Sequence, residues 1–150
     1  MNKPVHMLLL LASLLATVPG FSQVQHFTNT TQLNQSPDGE FAVFSSITKY
    51  LAAGDTASLS SWFADNLEVT VISSSQNCSR KQAREILNKF FASYTPRSFQ
   101  VTHKASEANK KYLIGVLNAG GELFQVTLYA TASAGDTYKI QQLNISRQTY

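Results

Sequence analysis

The chain has 150 residues, of which 43% are hydrophobic and 14% charged, and its formal net charge is +3 at pH 7. This length suits one domain, and so small an excess of basic residues argues against a nucleic-acid-binding surface. The single cysteine, Cys78, excludes an internal disulfide. The stability of the fold therefore has to come from a packed core.

The start of the chain, residues 1–22, predicts a secretory signal. An almost unbroken apolar run from Met7 to Val18 is followed by small residues at Gly20 and Ser22, which suits cleavage after Ser22. The alternative is an N-terminal membrane anchor, but the run is shorter than the ~20 apolar residues that span a bilayer. We therefore expect an exported protein, periplasmic or extracellular, with no stable membrane insertion after cleavage.

Two helices are predicted at the start of a domain that we place at residues 38–150, after a polar, flexible leader at 23–37. Ser36-Pro37 has the chemistry of a helix N-cap and first position, and Gly54 ends the helix through its freedom at positive φ. Asp55 or Thr56 then caps a short second helix. The residues expected on the buried face of this second helix are Leu59, Trp62 and Phe63.

A strand and a long helix are predicted next. Residues 67–72 alternate between apolar and polar side chains, as a half-buried strand does, and residues 73–77 are expected to form a turn. Ser79 and Gln82 match a capping box, which starts the long helix. The apolar stripe of this helix consists of Ala83, Ile86, Leu87, Phe90 and Tyr94.

Four strands joined by tight turns are predicted in the last third of the chain. Residues 112–117 are apolar on both faces, which is typical of a central strand covered on both sides, and Gly115 predicts a bend or bulge there. Gly120-Gly121 and residues 134–136 predict turns. A change of apolar phase predicts a bulge near Gln141-Gln142 in the last strand.

The predicted order is therefore helix, helix, strand, helix and four strands. Helices packed on one face of a mostly antiparallel sheet make an α+β domain, and the predicted bulges indicate a strongly curved sheet.

Two patterns carry a resemblance to known proteins. The first comprises Ala53-Gly54-Asp55, Leu59, Phe63-Ala64-Asp65 and Val69. The second comprises Ser79, Lys81-Gln82-Ala83, Ile86-Leu87, Phe90-Phe91, Phe99, His103 and Tyr112-Leu113-Ile114-Gly115. The first resembles the nuclear transport factor 2-like superfamily, also called the cystatin-like or SnoaL-like cone fold. The second resembles a family of small secreted bacterial proteins of unknown function within it.

The resemblance implies a cone-shaped sheet wrapped around the long helix, with a concave pocket between the two. It also implies that the outer face of the sheet is a candidate dimer surface. It implies no single activity, because the superfamily includes enzymes, transport adaptors and plain binding modules.

Four residues are candidates for acid–base catalysis: Asp55, Asp65, Glu68 and His103. Asp55 is most simply an N-cap, Asp65 is expected to lie in a helix-end turn, and Glu68 is expected to face solvent or a neighbouring strand. His103 is the strongest of the four, because it shares the strand parity of Phe99 and Val101 and is expected to face the core or pocket. No acidic partner stands at an obvious register, and neither a metal-ligand set nor a cofactor motif is found in the predicted domain. In the strand predicted at 123–132, either Gln125 and Tyr129 or the alternate apolar side chains must face the cone. The candidate pocket residues are Tyr50, Trp62, Phe90, Tyr94, His103, Tyr112, Gln125 and Tyr129.

Three hypotheses for function follow. The leading one is an exported, non-catalytic domain that binds an unknown small molecule or protein partner through its cone pocket or sheet face. The second is an isomerase- or hydrolase-type enzyme with His103 as general base. The third is a structural or interaction protein that dimerises through the outer face of the sheet, which the apolar stretch 112–117 favours.

Overall fold

Three helices and one six-stranded sheet make up the part of the chain that the computed structural model describes, residues 41–133 and 137–149. In chain order, the elements are α1 Ala42–Ala53, α2 Thr56–Ser60, β1 Phe63–Val71, β2 Ser74–Ser79, α3 Arg80–Ser93, β3 Pro96–Glu107, β4 Lys110–Ala119, β5 Glu122–Ser133 and β6 Thr137–Arg147. The predicted signal, leader, helix start at Ser36-Pro37 and turn at 134–136 lie outside the described residues.

The strand order across the sheet is β2-β1-β6-β5-β4-β3. The pair formed by β1 and β6 is parallel, and the other neighbouring strands are antiparallel. This confirms the predicted fold class, an α+β cone in which a curved, mostly antiparallel sheet wraps around a long helix. Within the described ranges, no helix is both long and apolar enough to cross a membrane.

Three of the predicted helix-boundary signals lie within the described residues, and the structure confirms all three. Gly54 ends α1 in the left-handed conformation, with φ of 67°. Asp55 caps α2 by accepting a hydrogen bond from the backbone N–H of Ser58, with an N–O distance of 3.0 Å. Ser79 and Gln82 form a reciprocal capping box at the start of α3. Side chains thus supply partners for backbone N–H groups that a helix leaves unpaired.

Two local predictions were wrong. The stretch predicted as a turn at 73–77 lies largely within β2, an edge strand whose exposed polar residues show no apolar alternation. Its pairing with β1 depends on backbone hydrogen bonds, which leave no hydrophobic pattern in the sequence. Trp62 and Phe63 do not belong to the second helix, because α2 ends at Ser60 and Phe63 is the first residue of β1.

The core lies between the inner face of the sheet and the helices. Phe124, Val126 and Leu128 of β5 have no exposed surface, and neither does Leu87 of α3. The ring of Phe90 packs edge-on against Phe124, with 5.1 Å between centroids. The apolar face of β5 therefore faces the core. The alternate side chains, including Gln125 and Tyr129, lie on the outer face of the sheet.

Strand β4 is internal, but only one of its faces is fully buried. Leu113 and Leu117 have no exposed surface, whereas Tyr112, Ile114 and Val116 are half-exposed on the outer face. Within the described residues, β4 is therefore fully covered on one face only, which corrects the prediction that both of its faces are covered. None of the three described helices lies on the outer face, so its apolar side chains are only partly shielded by neighbouring strands.

Bulges and register shifts interrupt the sheet at several places, and two of them decide on which face a side chain lies. Tyr129 pairs with Gln142 and Ala130 with Ile140, so Gln141 is an extra residue in β6, as predicted. A second bulge lies in β3 opposite Gly115, where Thr102 is the extra residue. Such bulges bend a strand and increase its twist, which accounts for the curvature of the sheet.

Candidate functional site

A row of polar and aromatic side chains crosses the outer face of the sheet. Backbone pairing places Asn77, Glu68, Gln142, Tyr129 and Tyr112 side by side on β2, β1, β6, β5 and β4. Directly paired residues project from the same face of a sheet. At a strand spacing of about 4.8 Å, the row is about 19 Å long.

An open cleft of about 590 Å³ lies along this row. Glu68 and Lys110 contribute one acidic and one basic group, and Tyr129 and Thr131 lie beside them. The carboxamides that line the cleft are Asn66, Asn77, Gln141 and Gln142. Leu67 also lines the cleft, so its lining combines polar groups with apolar surface and is close to electrically neutral.

The cleft forms where β6 loses register with both of its neighbours. Between the paired positions Phe63↔Ile140 and Glu68↔Gln142, five steps along β1 correspond to only two along β6. On the other side of β6, Gln141 is unpaired against β5. The ladder is thus interrupted at the residues that line the cleft. Bulges are common beside functional sites, where they redirect side chains.

The carboxamides of the cleft have hydrogen-bonding capacity that the protein does not use. Within the described part of the chain, the side chains of Asn66, Asn77, Gln141 and Gln142 form no hydrogen bond to another residue. Glu68 differs, since it accepts a hydrogen bond of 3.2 Å from the Ser75 hydroxyl. Each carboxamide offers two donors and one acceptor oxygen, so the cleft can both donate to and accept from a ligand.

A buried acceptor lies in the adjacent row of the same face. Asn144 stands between Thr70 of β1 and Thr127 of β5, and its Oδ1 atom is buried without a hydrogen-bond partner among the residues described. An unpaired buried acceptor carries a desolvation penalty of about 1–3 kcal/mol. It marks a second position on this face where a polar group is left unsatisfied.

Aromatic side chains continue the row towards the edge of the sheet. Tyr129 is 43% exposed, and its ring stacks on Tyr112 with 5.7 Å between centroids. The hydroxyl of Tyr112 lies 2.9 Å from Nε2 of His103. Tyr129 is therefore partly open to solvent, and Tyr112 packs against one face of its ring.

The placement of His103 differs from the one predicted by strand parity. The extra residue Thr102 reverses the alternation, so that Val101 pairs with Gly115 and His103 pairs with Ile114 on the outer face. His103 is exposed, and no carboxylate of the described residues lies within ion-pair distance of it. The geometry therefore does not supply the acid–base pair that the enzyme hypothesis requires.

The predicted pocket residues lie in three separate places. Phe90 and Tyr94 pack against Phe124 in the interior, with centroid distances of 5.1 and 5.0 Å. Tyr50 and Trp62 are partly buried at the margin of the core. The remaining four lie on the outer face: His103, Tyr112, Gln125 and Tyr129. Of the eight, only Tyr129 lines the cleft.

Sequence reasoning missed the carboxamides of the cleft, and it named Glu68 as a candidate without connecting it with them. The one signal that pointed to them was the phase change near Gln141-Gln142, which predicted the bulge but was not connected with a site. Among the described residues, no group of three or more His, Cys, Asp or Glu side chains is arranged to hold a metal ion.

The two groups with shifted pKa values have structural roles. Hydrogen bonds from the hydroxyl and backbone N–H of Ser58 lower the pKa of the Asp55 carboxyl. Burial raises the pKa of the Cys78 thiol, whose Sγ lies 3.7 Å from the carbonyl oxygen of Leu67. Asp55 is an N-cap and Cys78 is a core residue, so neither points to catalysis.

The curved sheet around α3 is the cone fold of the nuclear transport factor 2-like superfamily. The chain belongs to the family described as Domain of unknown function (DUF4783), whose pattern matches residues 44–146. No curated protein matches the sequence significantly.

Solved structures share the fold at low sequence identity. A DUF4783 family protein from Bacteroides uniformis is 19% identical, with a TM-score of 0.67 over 71% of this chain and 97% of that one. A protein of the NTF2-like family from Streptomyces avermitilis is 12% identical, with a TM-score of 0.57 over 75% of this chain and 97% of that one. A domain of unknown function with a cystatin-like fold from Nostoc punctiforme is 10% identical, with a TM-score of 0.61 over 77% and 81%. These matches show that the chain shares the predicted cone fold with those structures.

Proposed function

We propose that the protein is an exported, non-catalytic domain that binds a ligand or partner through the outer face of its sheet. Export to the periplasm or the medium is inferred from the signal predicted at residues 1–22. The observation that supports binding is the cleft of about 590 Å³, whose carboxamides have no partners within the described part of the protein.

The outer face is favoured over the cone interior because side chains fill the interior. Leu87, Leu113 and Phe124 have no exposed surface, and Phe90 is 5% exposed. Protein interiors are packed about as densely as organic crystals. A ligand between α3 and the sheet would therefore have to displace core side chains, whereas the cleft on the outer face is already open.

Ligand-dependent stabilisation of the exported protein tests this proposal. A compound library is screened by thermal shift, and each stabilising compound is tested on Tyr129→Ala and on the control Gln125→Ala. Gln125 is exposed on the same face and strand but does not line the cleft. A cleft ligand at about 100 times its Kd stabilises the folded state by about 2.7 kcal/mol.

We expect the control to keep this stabilisation and Tyr129→Ala to lose most of it. The proposal fails if no compound stabilises the protein and no partner is captured. It also fails if the stabilisation is the same in both variants, since binding would then lie elsewhere.

A second candidate function is homodimerisation through the same face. Ile114 and Val116 of β4 project outward and are half-exposed, and their side chains lie beside Thr127 and Gln125 of β5. Light scattering across a concentration series tests it. A dimer that Val116→Lys converts to monomer supports this function, whereas a monomer at every concentration contradicts it.

A further inference from the structure

We propose that the ligand of the cleft is a neutral oligosaccharide. This inference rests on the proposed function, because it names the chemical class that the outer-face cleft would bind. It is argued from the hydrogen-bonding groups, the exposed ring, the charge and the length of the cleft.

The hydrogen-bonding groups match the hydroxyls of a sugar. Each hydroxyl both donates and accepts a hydrogen bond, and a carboxamide pairs with such groups through its NH2 donors and its carbonyl acceptor. Asn66, Asn77, Gln141 and Gln142 supply these groups, and Glu68 adds acceptor oxygens. All four carboxamides are without partners in the described chain, so binding would break no protein hydrogen bond made by their side chains.

The exposed ring of Tyr129 supplies the apolar part of such a site. One face of a pyranose ring carries mainly C–H groups, which pack on an aromatic ring through dispersion contacts. Stacking on Tyr112 at 5.7 Å holds the Tyr129 ring in place. A ring that is already fixed loses little side-chain entropy when a ligand binds.

The charge and lining of the cleft favour a neutral oligosaccharide over a polyanion or an apolar compound. Glu68 and Lys110 offset each other, so the cleft lacks the cluster of cations that a nucleic acid or another polyanion requires. An apolar small molecule prefers a pocket lined mainly by hydrophobic side chains. The lining consists mainly of carboxamides, one acid, one base and one exposed ring. It suits a neutral, hydroxyl-rich molecule better than a polyanion or an apolar compound.

The length of the cleft favours a chain of sugars over a single one. The row from Asn77 on β2 to Tyr129 on β5 crosses β1 and β6, and three strand spacings of about 4.8 Å make about 14 Å. Several linked rings can contact the carboxamides of β1, β2 and β6 at the same time as the ring of Tyr129.

Calorimetric titration of the exported protein with neutral hexasaccharides tests the inference. The probes are the β-1,4- and α-1,4-linked glucose, β-1,4-linked xylose and β-1,4-linked mannose hexamers. At least one is expected to bind, and Tyr129→Ala is expected to weaken that binding about tenfold or more, or about 1.4 kcal/mol. Tyr129→Phe keeps the ring and is expected to bind nearly as well as the parent, as is Gln125→Ala.

Two results overturn the inference. One is that no hexasaccharide binds at about 10 mM, a concentration well above the Kd of weak complexes. The other is that a hexasaccharide binds equally well to Tyr129→Ala, with circular dichroism showing that this variant is folded. If the library screen nevertheless finds another ligand whose binding depends on Tyr129, the proposal of an oligosaccharide ligand is refuted. The proposed function, binding through the outer face, is then still supported.

Discussion

Replacing Gly115 with alanine tests the close approach of β3 to β4 at the Thr102 bulge. A Cβ atom added at Gly115 would lie 2.3 Å from Cζ of Phe99 and 2.7 Å from the carbonyl oxygen of Gln100. Both distances are far below van der Waals contact. The aromatic ring can move aside, but the backbone oxygen is held by the pairing of Val101 with Gly115.

The expected cost follows from two opposing effects. Alanine in a strand interior is ordinarily more stable than glycine by roughly 0.5–1 kcal/mol, because glycine loses more conformational freedom on folding. Overpacking of a filled site costs about 1–3 kcal/mol. Since the clash involves a backbone atom that cannot rotate away, we expect the cost to exceed the gain and Gly115→Ala to lower the free energy of unfolding by up to about 2.5 kcal/mol.

Urea unfolding followed by circular dichroism measures this change. The matched control is Gly115→Ala made in a Phe99→Leu background, where the ring clash is absent and only the contact with the Gln100 oxygen remains. The cost should be smaller there, because the two sites are coupled. An alanine variant that is as stable as the parent, or more stable, would refute the assigned register and the bulge.

Three further predictions concern the helices and the thiol. Leu87→Ala should cost about 2–5 kcal/mol in urea unfolding, because Leu87 is fully buried, while exposed Lys89→Ala should change little. Asp55→Ala should lower the melting temperature at pH 7, since the cap is lost. The pKa of Asp55 is lowered in the folded protein, so the stability that its carboxylate contributes is present at pH values above the unfolded pKa. This stabilisation is lost as the pH falls through the folded pKa. The melting temperatures of the parent and of Asp55→Ala should therefore converge in acid. Cys78 should react slowly with iodoacetamide at pH 7 and rapidly in urea, since burial raises its pKa; equal rates would contradict its burial.

Much of the fold could be predicted because local chemistry determines where its elements end. Gly54, Asp55 and the Ser79–Gln82 box act through backbone groups within one turn of a helix, so the signal lies in adjacent residues. The bulge at Gln141 was visible for a similar reason, because the apolar phase changes within a single strand. These features do not depend on contacts with distant parts of the chain.

The features that were missed depend on pairing between distant segments. Strand β2 has no apolar pattern, and only its register with β1 makes it a strand. The Thr102 bulge leaves little trace in the sequence, yet it moves His103 to the opposite face from the one its parity suggests. One inserted residue reverses every side chain that follows it in a strand.

The candidate site was harder to predict than the fold. Its carboxamides come from β1, β2 and β6, which are brought together by the parallel pairing of β1 with β6. Asparagine and glutamine are also common in surface loops, so their presence alone carries little information. How closely the interior side chains pack is also hard to predict from sequence, because it depends on how the volumes of distant side chains fit together.

Mapping a stabilising ligand by backbone amide chemical shifts tests the central claim most directly, which is that binding occurs on the outer face of the sheet. We expect the largest shifts at Glu68, Tyr129, Gln141 and Gln142, with little change in α3. Shifts centred on Leu87 and Phe90 would place the ligand inside the cone and contradict the claim.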